Sequence, residues 1–210
     1  MALSDILVSG FNCFHMIPRY NIGDEVITSA IEDYPMNTSL AEVFKKVVLI
    51  NSIYGTAIYN TFKIAEHICR VEFDTKIQNA DASIIDDIRS GHNILTRNNN
   101  QRDLYSFATK YSNWHSQESF PIYDNLVKRL LPNLNNNLHF HNRFTQSDLD
   151  NYATLKSVID SLIEFTNLQD YRYKRIDKGL WLLAKYTYKR NELDAQIIQV
   201  MSNVIENDPI

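Results

Sequence analysis

Apolar side chains recur at helical spacing along almost the whole chain. Val43, Val47, Ile50, Tyr54, Ile58, Ala65 and Ile68 follow one another at three, four or seven residues, as one face of a helix or helix pair does. Ser39 and Glu42 precede this run at capping-box spacing, each side chain able to meet a free N–H at a helix start, and Gly55 breaks the run into two helices. Residues 81–90 read as a short helix stopped by Gly91, and the polar stretch 97–102 as a turn. Asp103 then caps a helix reaching to about Trp114. Pro121 sets a short extended piece before a helix that begins near Asp124 and ends by Pro132, with a polar loop over 133–137. Ser147 and Asp150 have capping spacing ahead of a face formed by Tyr152, Leu155, Ile159 and Leu162. Two further amphipathic helices carry Ile176, Leu180, Leu183 and Ala184, then Leu193, Ile197, Val200 and Val204. Nine or ten helices are predicted, and strand-like alternation is nowhere sustained. The expected fold is all-α. No repeat or long linker divides the chain, so residues 1–210 read as a single domain.

Composition narrows the class. Apolar residues make up 44% of 210, with 12 Tyr, 10 Phe and 2 Trp, enough for a sizeable core and too many for a disordered chain. Two cysteines, Cys13 and Cys69, are too few for a disulfide framework or a zinc cluster. No apolar run approaches a membrane span, and Asp5 interrupts the apolar start, so a cytoplasmic protein with no membrane association is expected. The net charge of −4 hides an uneven distribution. Residues 169–190 hold seven bases against two acids, whereas 191–210 hold four acids and no base. Such a basic segment either binds phosphates or is a solvated helix face.

The chain has no phosphate-binding glycine loop, nucleophile elbow or His-Glu-x-x-His. His139 and His141 lack a nearby third ligand, and no metal or other cofactor is expected. The informative stretch is Tyr105-Ser-Phe-Ala-Thr-Lys-Tyr-Ser-Asn-Trp-His115 followed by Phe120-Pro-Ile-Tyr-Asp-Asn-Leu-Val127. A helix leads through an extended turn to a lone carboxylate, Asp124, at the start of the next helix. This arrangement resembles the helix-hairpin-helix superfamily of base-excision DNA glycosylases, over roughly residues 40–185. Residues 1–39 lie outside the resemblance, as a helical extension packing on that core.

The resemblance implies a compact multi-helix glycosylase fold and hydrolysis of the N-glycosidic bond of a damaged or modified base. The base would be flipped out of double-stranded DNA and an abasic site left behind. Small divergent members of this kind include ones directed against hypermodified phage cytosines in antiviral defence. Asp124 would be catalytic, with Lys110 as a second catalytic candidate. Asn51 and Tyr54 would stand where wedge residues fill the vacated stack, and Tyr105, Tyr111, Trp114 and His115 would line a base pocket. Arg97, Arg102, Lys174, Arg175 and Lys178 would meet DNA phosphates. Two departures stand out. The hairpin region 91–102 lacks the family's Gly-apolar-Gly pattern. The position of the lyase lysine, counted back from Asp124, falls near Tyr105, which favours a monofunctional glycosylase over one with lyase activity.

The residue types suit the chemistry. Breaking a glycosidic bond develops positive charge on the sugar, which a fixed carboxylate stabilises while it orients or deprotonates water. Asp124 reads equally as a helix N-cap, worth about 1 kcal/mol, and the two roles are compatible. Tyr54 also continues an apolar helix face, and aromatics such as Tyr111 also serve as core. A monomer without an obligatory protein partner is expected. The alternative is a non-catalytic helical module that binds nucleic acid or protein through the basic segment.

Overall fold

The computed structural model describes residues 2–91 and 103–207, and every regular element among them is helical. In chain order these are α1 (Ala2–Cys13), α2 (Pro18–Asp33), α3 (Leu40–Tyr54), α4 (Thr61–Ile68), α5 (Phe73–Gln78), α6 (Ser83–Ser90), α7 (Tyr105–His115), α8 (Asn125–Leu138), α9 (Tyr152–Thr166), α10 (Tyr173–Lys189) and α11 (Ala195–Asn207). Short 3-10 turns occupy Phe14–Met16, Ser147–Asp150 and Arg190–Glu192. Contacts divide the chain into two units, 22–122 and 1–21 with 123–210. The division falls within α2 and between Ile122 and Tyr123, with no linker at either point, which is why the sequence reads as one domain.

In the unit 22–122, α3 packs on α4 and α7, and α6 packs on α7. The predicted α3 face is correct: Val43, Val47 and Ile50 are fully buried. The chain leaves the helix at Gly55 with φ +59°, where a side chain would be strained. Ser39 stands at the N-cap, but its side chain makes no capping bond, so the expected reciprocal box with Glu42 does not form. Within this core lies a polar network. Lys46, 1% exposed, donates from Nζ to the carbonyls of Tyr34 (2.8 Å) and Met36 (2.9 Å) and lies 3.3 Å from His115 Nε2. The Tyr111 hydroxyl donates to Asn37 Oδ1 (2.6 Å), and Asn37 donates from Nδ2 and N to the two oxygens of Asp74. Every one of these groups reaches a partner, as burial requires.

In the other unit α1 packs on α10 and α11, and α10 on α8. Leu3, Ile6 and Leu7 of α1 are buried, so the N-terminal segment supplies core. α1 and α10 meet at Gly10 and Gly179, where an added Cβ on Gly179 would lie 2.5 Å from the Leu7 carbonyl. α8 continues through Pro132 to Leu138, contrary to the expected stop and loop over 133–137. A helix-internal proline costs about 3 kcal/mol. Leu130, Leu131 and Leu134 are buried along this helix, at roughly 1.5–3 kcal/mol each, which outweighs that cost. α8 ends where His139 takes φ +54°. Ser147–Asp150 forms a 3-10 turn rather than the first turn of α9, whose N-cap is Asn151, accepting from Thr154 N at 3.0 Å.

Candidate functional site

Asp124 is the N-cap of α8, as its place after the extended Pro121–Tyr123 segment predicts. Its Oδ1 accepts from Leu126 N at 2.8 Å and from Val127 N at 3.4 Å. Its Oδ2 accepts no hydrogen bond among the described residues, and the side chain is only half-buried. One oxygen is thus fixed by backbone N–H groups at a helix N-terminus, as an N-cap carboxylate is.

The first turn of α8 is braced from the side. Lys128, one turn after Asp124, donates to both oxygens of Asp150 (2.6 and 2.7 Å). The Tyr123 hydroxyl lies between Asn125 Oδ1 at 3.1 Å and Asp150 Oδ1 at 3.2 Å. Burial opposes the charge on Lys128, but the hydrogen bonds it donates to Asp150 and Tyr123 outweigh it and hold its pKa above the ordinary lysine value. The sequence reading missed Lys128, Asp150 and Tyr123. Lys128 had a signal, its four-residue spacing from Asp124; Asp150 had none, because the fold brings it there across 22 residues.

In the unit 22–122, Lys110 is 5% exposed. Its Nζ donates to Ser106 Oγ at 2.8 Å and lies 5.8 Å from the Tyr54 ring centre. Tyr105, Tyr111 and Trp114 are buried. Arg89 stacks on Tyr105 at 4.2 Å, and Tyr111 and His115 pack together against Phe73. Burial and the neighbouring Lys46 charge push the His115 pKa down to about 3, against the opposing bond to the Tyr111 carbonyl. Burial likewise lowers Lys46 to about 8. Tyr105, Tyr111 and His115 therefore have packing partners inside this unit, and Trp114 is buried. Asn113, fully buried, donates to the Phe120 carbonyl at 2.7 Å and fixes the chain as it leaves α7.

Asn51 holds the connection between α3 and α4. Its Oδ1 accepts from Ile58 N (2.9 Å) and Thr56 Oγ1 (2.8 Å), and its Nδ2 donates to the Ile58 carbonyl (3.1 Å). The Tyr54 hydroxyl donates to Asp24 at 3.2 Å. The side chain this loop presents is Tyr59, 71% exposed, which the sequence reading passed over. An exposed aromatic beside a polar clamp is a signal visible only once the clamp is seen.

Of the α10 cations, Lys174 is buried at 5% exposure, so its ammonium is not a surface contact. Arg175 is exposed and lies over Phe11 and Tyr171, and Lys178 lies 4.7 Å from the Phe14 ring centre. Arg97 and Arg102 lie outside the described residues. Among the described residues no group of three His, Cys, Asp or Glu is placed to hold a metal, and no helix is long and apolar enough to cross a membrane.

The family model HI_0787_N, an N-terminal domain, matches residues 11–119. A protein of Haemophilus influenzae, named only as uncharacterized, is 30% identical over 157 residues, 74% of this chain and 73% of that protein. No solved structure matches.

Proposed function

The chain belongs to the HI_0787_N family, and from the chemistry of its own residues we propose that it is a cytoplasmic DNA glycosylase of helix-hairpin-helix type. It hydrolyses the N-glycosidic bond of a damaged or modified base, hypermodified phage cytosine among the candidates. The observation that carries this reading is Asp124: a carboxylate with one oxygen bound to Leu126 and Val127 N–H and the other without a hydrogen-bond partner among the described residues. In the proposed reaction the C1′–N bond breaks, positive charge grows on the sugar, and the free carboxylate oxygen stabilises it. A water oriented by the same oxygen bonds to C1′ through its oxygen and gives up a proton by way of the carboxylate to solvent, while the base leaves with the electron pair of the broken C1′–N bond and takes up a proton from water. The packing of α6 against α7, with the extended segment that follows, supports the same reading.

Tyr59 suits the wedge role better than Tyr54, because its ring is exposed on a clamped loop while the Tyr54 hydroxyl is engaged by Asp24. Extrusion of a base costs a few kcal/mol, and a flat ring filling the vacancy offsets part of that. Arg175 and Lys178 suit contact with backbone phosphates, whose strength falls as salt rises. Lys110 sits against Ser106 and Tyr54, and hydrolysis without strand cleavage is proposed.

The test is direct. Incubate the protein with a panel of damaged oligonucleotides and modified phage genomes, treat with alkali, and identify released bases by mass. The wild type is expected to leave alkali-labile sites on one modified substrate and to yield no adduct trapped by borohydride. Asp124→Asn should lower the rate by at least about a hundredfold while DNA binding persists. A wild type that binds DNA yet releases no base from any substrate would establish the non-catalytic binding module instead.

A further inference from the structure

Within the unit that contains both α1 and α11, an open pocket of about 550 Å³ lies among α8, α10 and α11. Its floor is apolar: Leu130, Leu134 and Leu183 are buried there, with Ile205 of α11 on the far wall. One cation, Arg190, lines the pocket and lies over the Tyr186 ring at 4.6 Å; a second, Arg129, stands outside the lining and lies over the ring of the lining residue Tyr188 at 4.1 Å. Neither arginine forms an ion pair with a carboxylate among the described residues. Their neighbours differ in this respect, since Lys185 and Lys189 both pair with Glu192, at 3.0 and 3.1 Å.

The Arg190 guanidinium is also held in place. Its Nη2 donates to Ser202 Oγ at 2.9 Å, and that hydroxyl lies 2.9 Å from the Tyr186 hydroxyl. Arginine has five N–H donors, so one bond and one stacked face fix the plane while most donors stay available. A cation ordered before binding loses little freedom when it binds. The pocket volume falls in the range of small-molecule sites, which combine apolar walls with a few placed polar groups.

From these features we propose that the pocket binds a small organic anion with an apolar body. The body lies on the leucine floor, and a carboxylate meets the free edge of Arg190, with the charge of Arg129 adding to the attraction. The site is separate from Asp124 chemistry, and the proposal stands whether or not the protein excises bases.

Octanoate is the probe, with octan-1-ol and acetate as controls for the tail and the head alone. Calorimetric titration and amide chemical-shift mapping should show octanoate saturating one site at least about tenfold more tightly than either control. Shifts should concentrate at Leu183, Tyr186 and Ile205. Added sodium chloride should weaken octanoate and leave octan-1-ol unchanged. Arg190→Gln should weaken octanoate about tenfold without affecting octan-1-ol, and Ile205→Trp, which fills the pocket, should abolish both. The salt comparison on wild type holds the test open if a variant misfolds. Failure of octanoate to saturate, shifts mapping to another surface, or affinity unaffected by salt and by Arg190→Gln would each overturn the proposal.

Discussion

Lys46 and His115 show what one buried pair does to the behaviour of its unit. A buried ammonium is tolerated only when its donors are used, and Lys46 uses them on two carbonyls and the His115 ring. The ring in turn stays neutral, with Nδ1 bonded to the Tyr111 carbonyl at 2.9 Å. Its folded pKa of about 3 lies below the ordinary 6.5, so between those values the unfolded chain binds a proton that the folded chain refuses. The stability that this neutral ring contributes is therefore complete above about pH 6.5 and is lost on acidification toward pH 3, by at most about 1.4 kcal/mol per pH unit. Chemical denaturation at pH 7, 6, 5 and 4 should show this decline. In His115→Gln, which keeps an acceptor for Lys46 without a titrating ring, the dependence should flatten. An unchanged slope in that variant would assign the acid sensitivity to other groups.

Helices in this chain are legible where their burial follows a single period. Tyr152, Leu155, Ile159 and Leu162 face the core as their spacing predicts, as do Ile176, Leu180 and Leu183. Two closely approaching elements test a feature that periodicity does not reveal. Gly179→Ala brings a Cβ against backbone rather than a movable side chain, and a loss of about 1–3 kcal/mol in denaturant midpoint stability is expected, larger than for Gly10→Ala, whose Cβ would sit 3.2 Å from its neighbour. The α8 brace is a second case. Asp150→Ala leaves Lys128 and the Tyr123 hydroxyl without their shared acceptor. Faster amide exchange at Leu126 and Val127 should follow, and on an excised substrate a drop in kcat of about tenfold with KM little changed. What the sequence hid has a common cause. Pro132 stops a helix by local rules and is overridden by three buried leucines. Ser39 and Ser147 satisfy a capping spacing without capping, because neither spacing fixes the direction in which the side chain turns. Asp124 was legible because its role is local; Asp150, Asn113 and the partners of Lys46 were not, because each acts on a residue that only the folded chain brings near.

At the scale of the molecule, each unit carries one tryptophan, Trp114 in 22–122 and Trp181 in the other. Trp181 meets Phe14 and Tyr20 at 5.8 and 5.2 Å, and Trp114 sits on the helix that carries His115. Single-tryptophan variants, Trp114→Phe and Trp181→Phe, therefore report the units separately. Because the Lys46–His115 network belongs to 22–122 alone, acid should disturb Trp114 emission at a higher pH than Trp181 emission. Coincident transitions would mean that the two units unfold as one. The division also has an order in time. Residues 22–122 are contiguous, so a ribosome releases that unit's whole core before residues 123–207 are made. The first helix, α1, emerges earlier still but has its docking sites on α10 and α11, more than 150 residues downstream. During translation its apolar face, with Leu3, Ile6 and Leu7, therefore waits uncovered until α10 and α11 have followed it out of the ribosome.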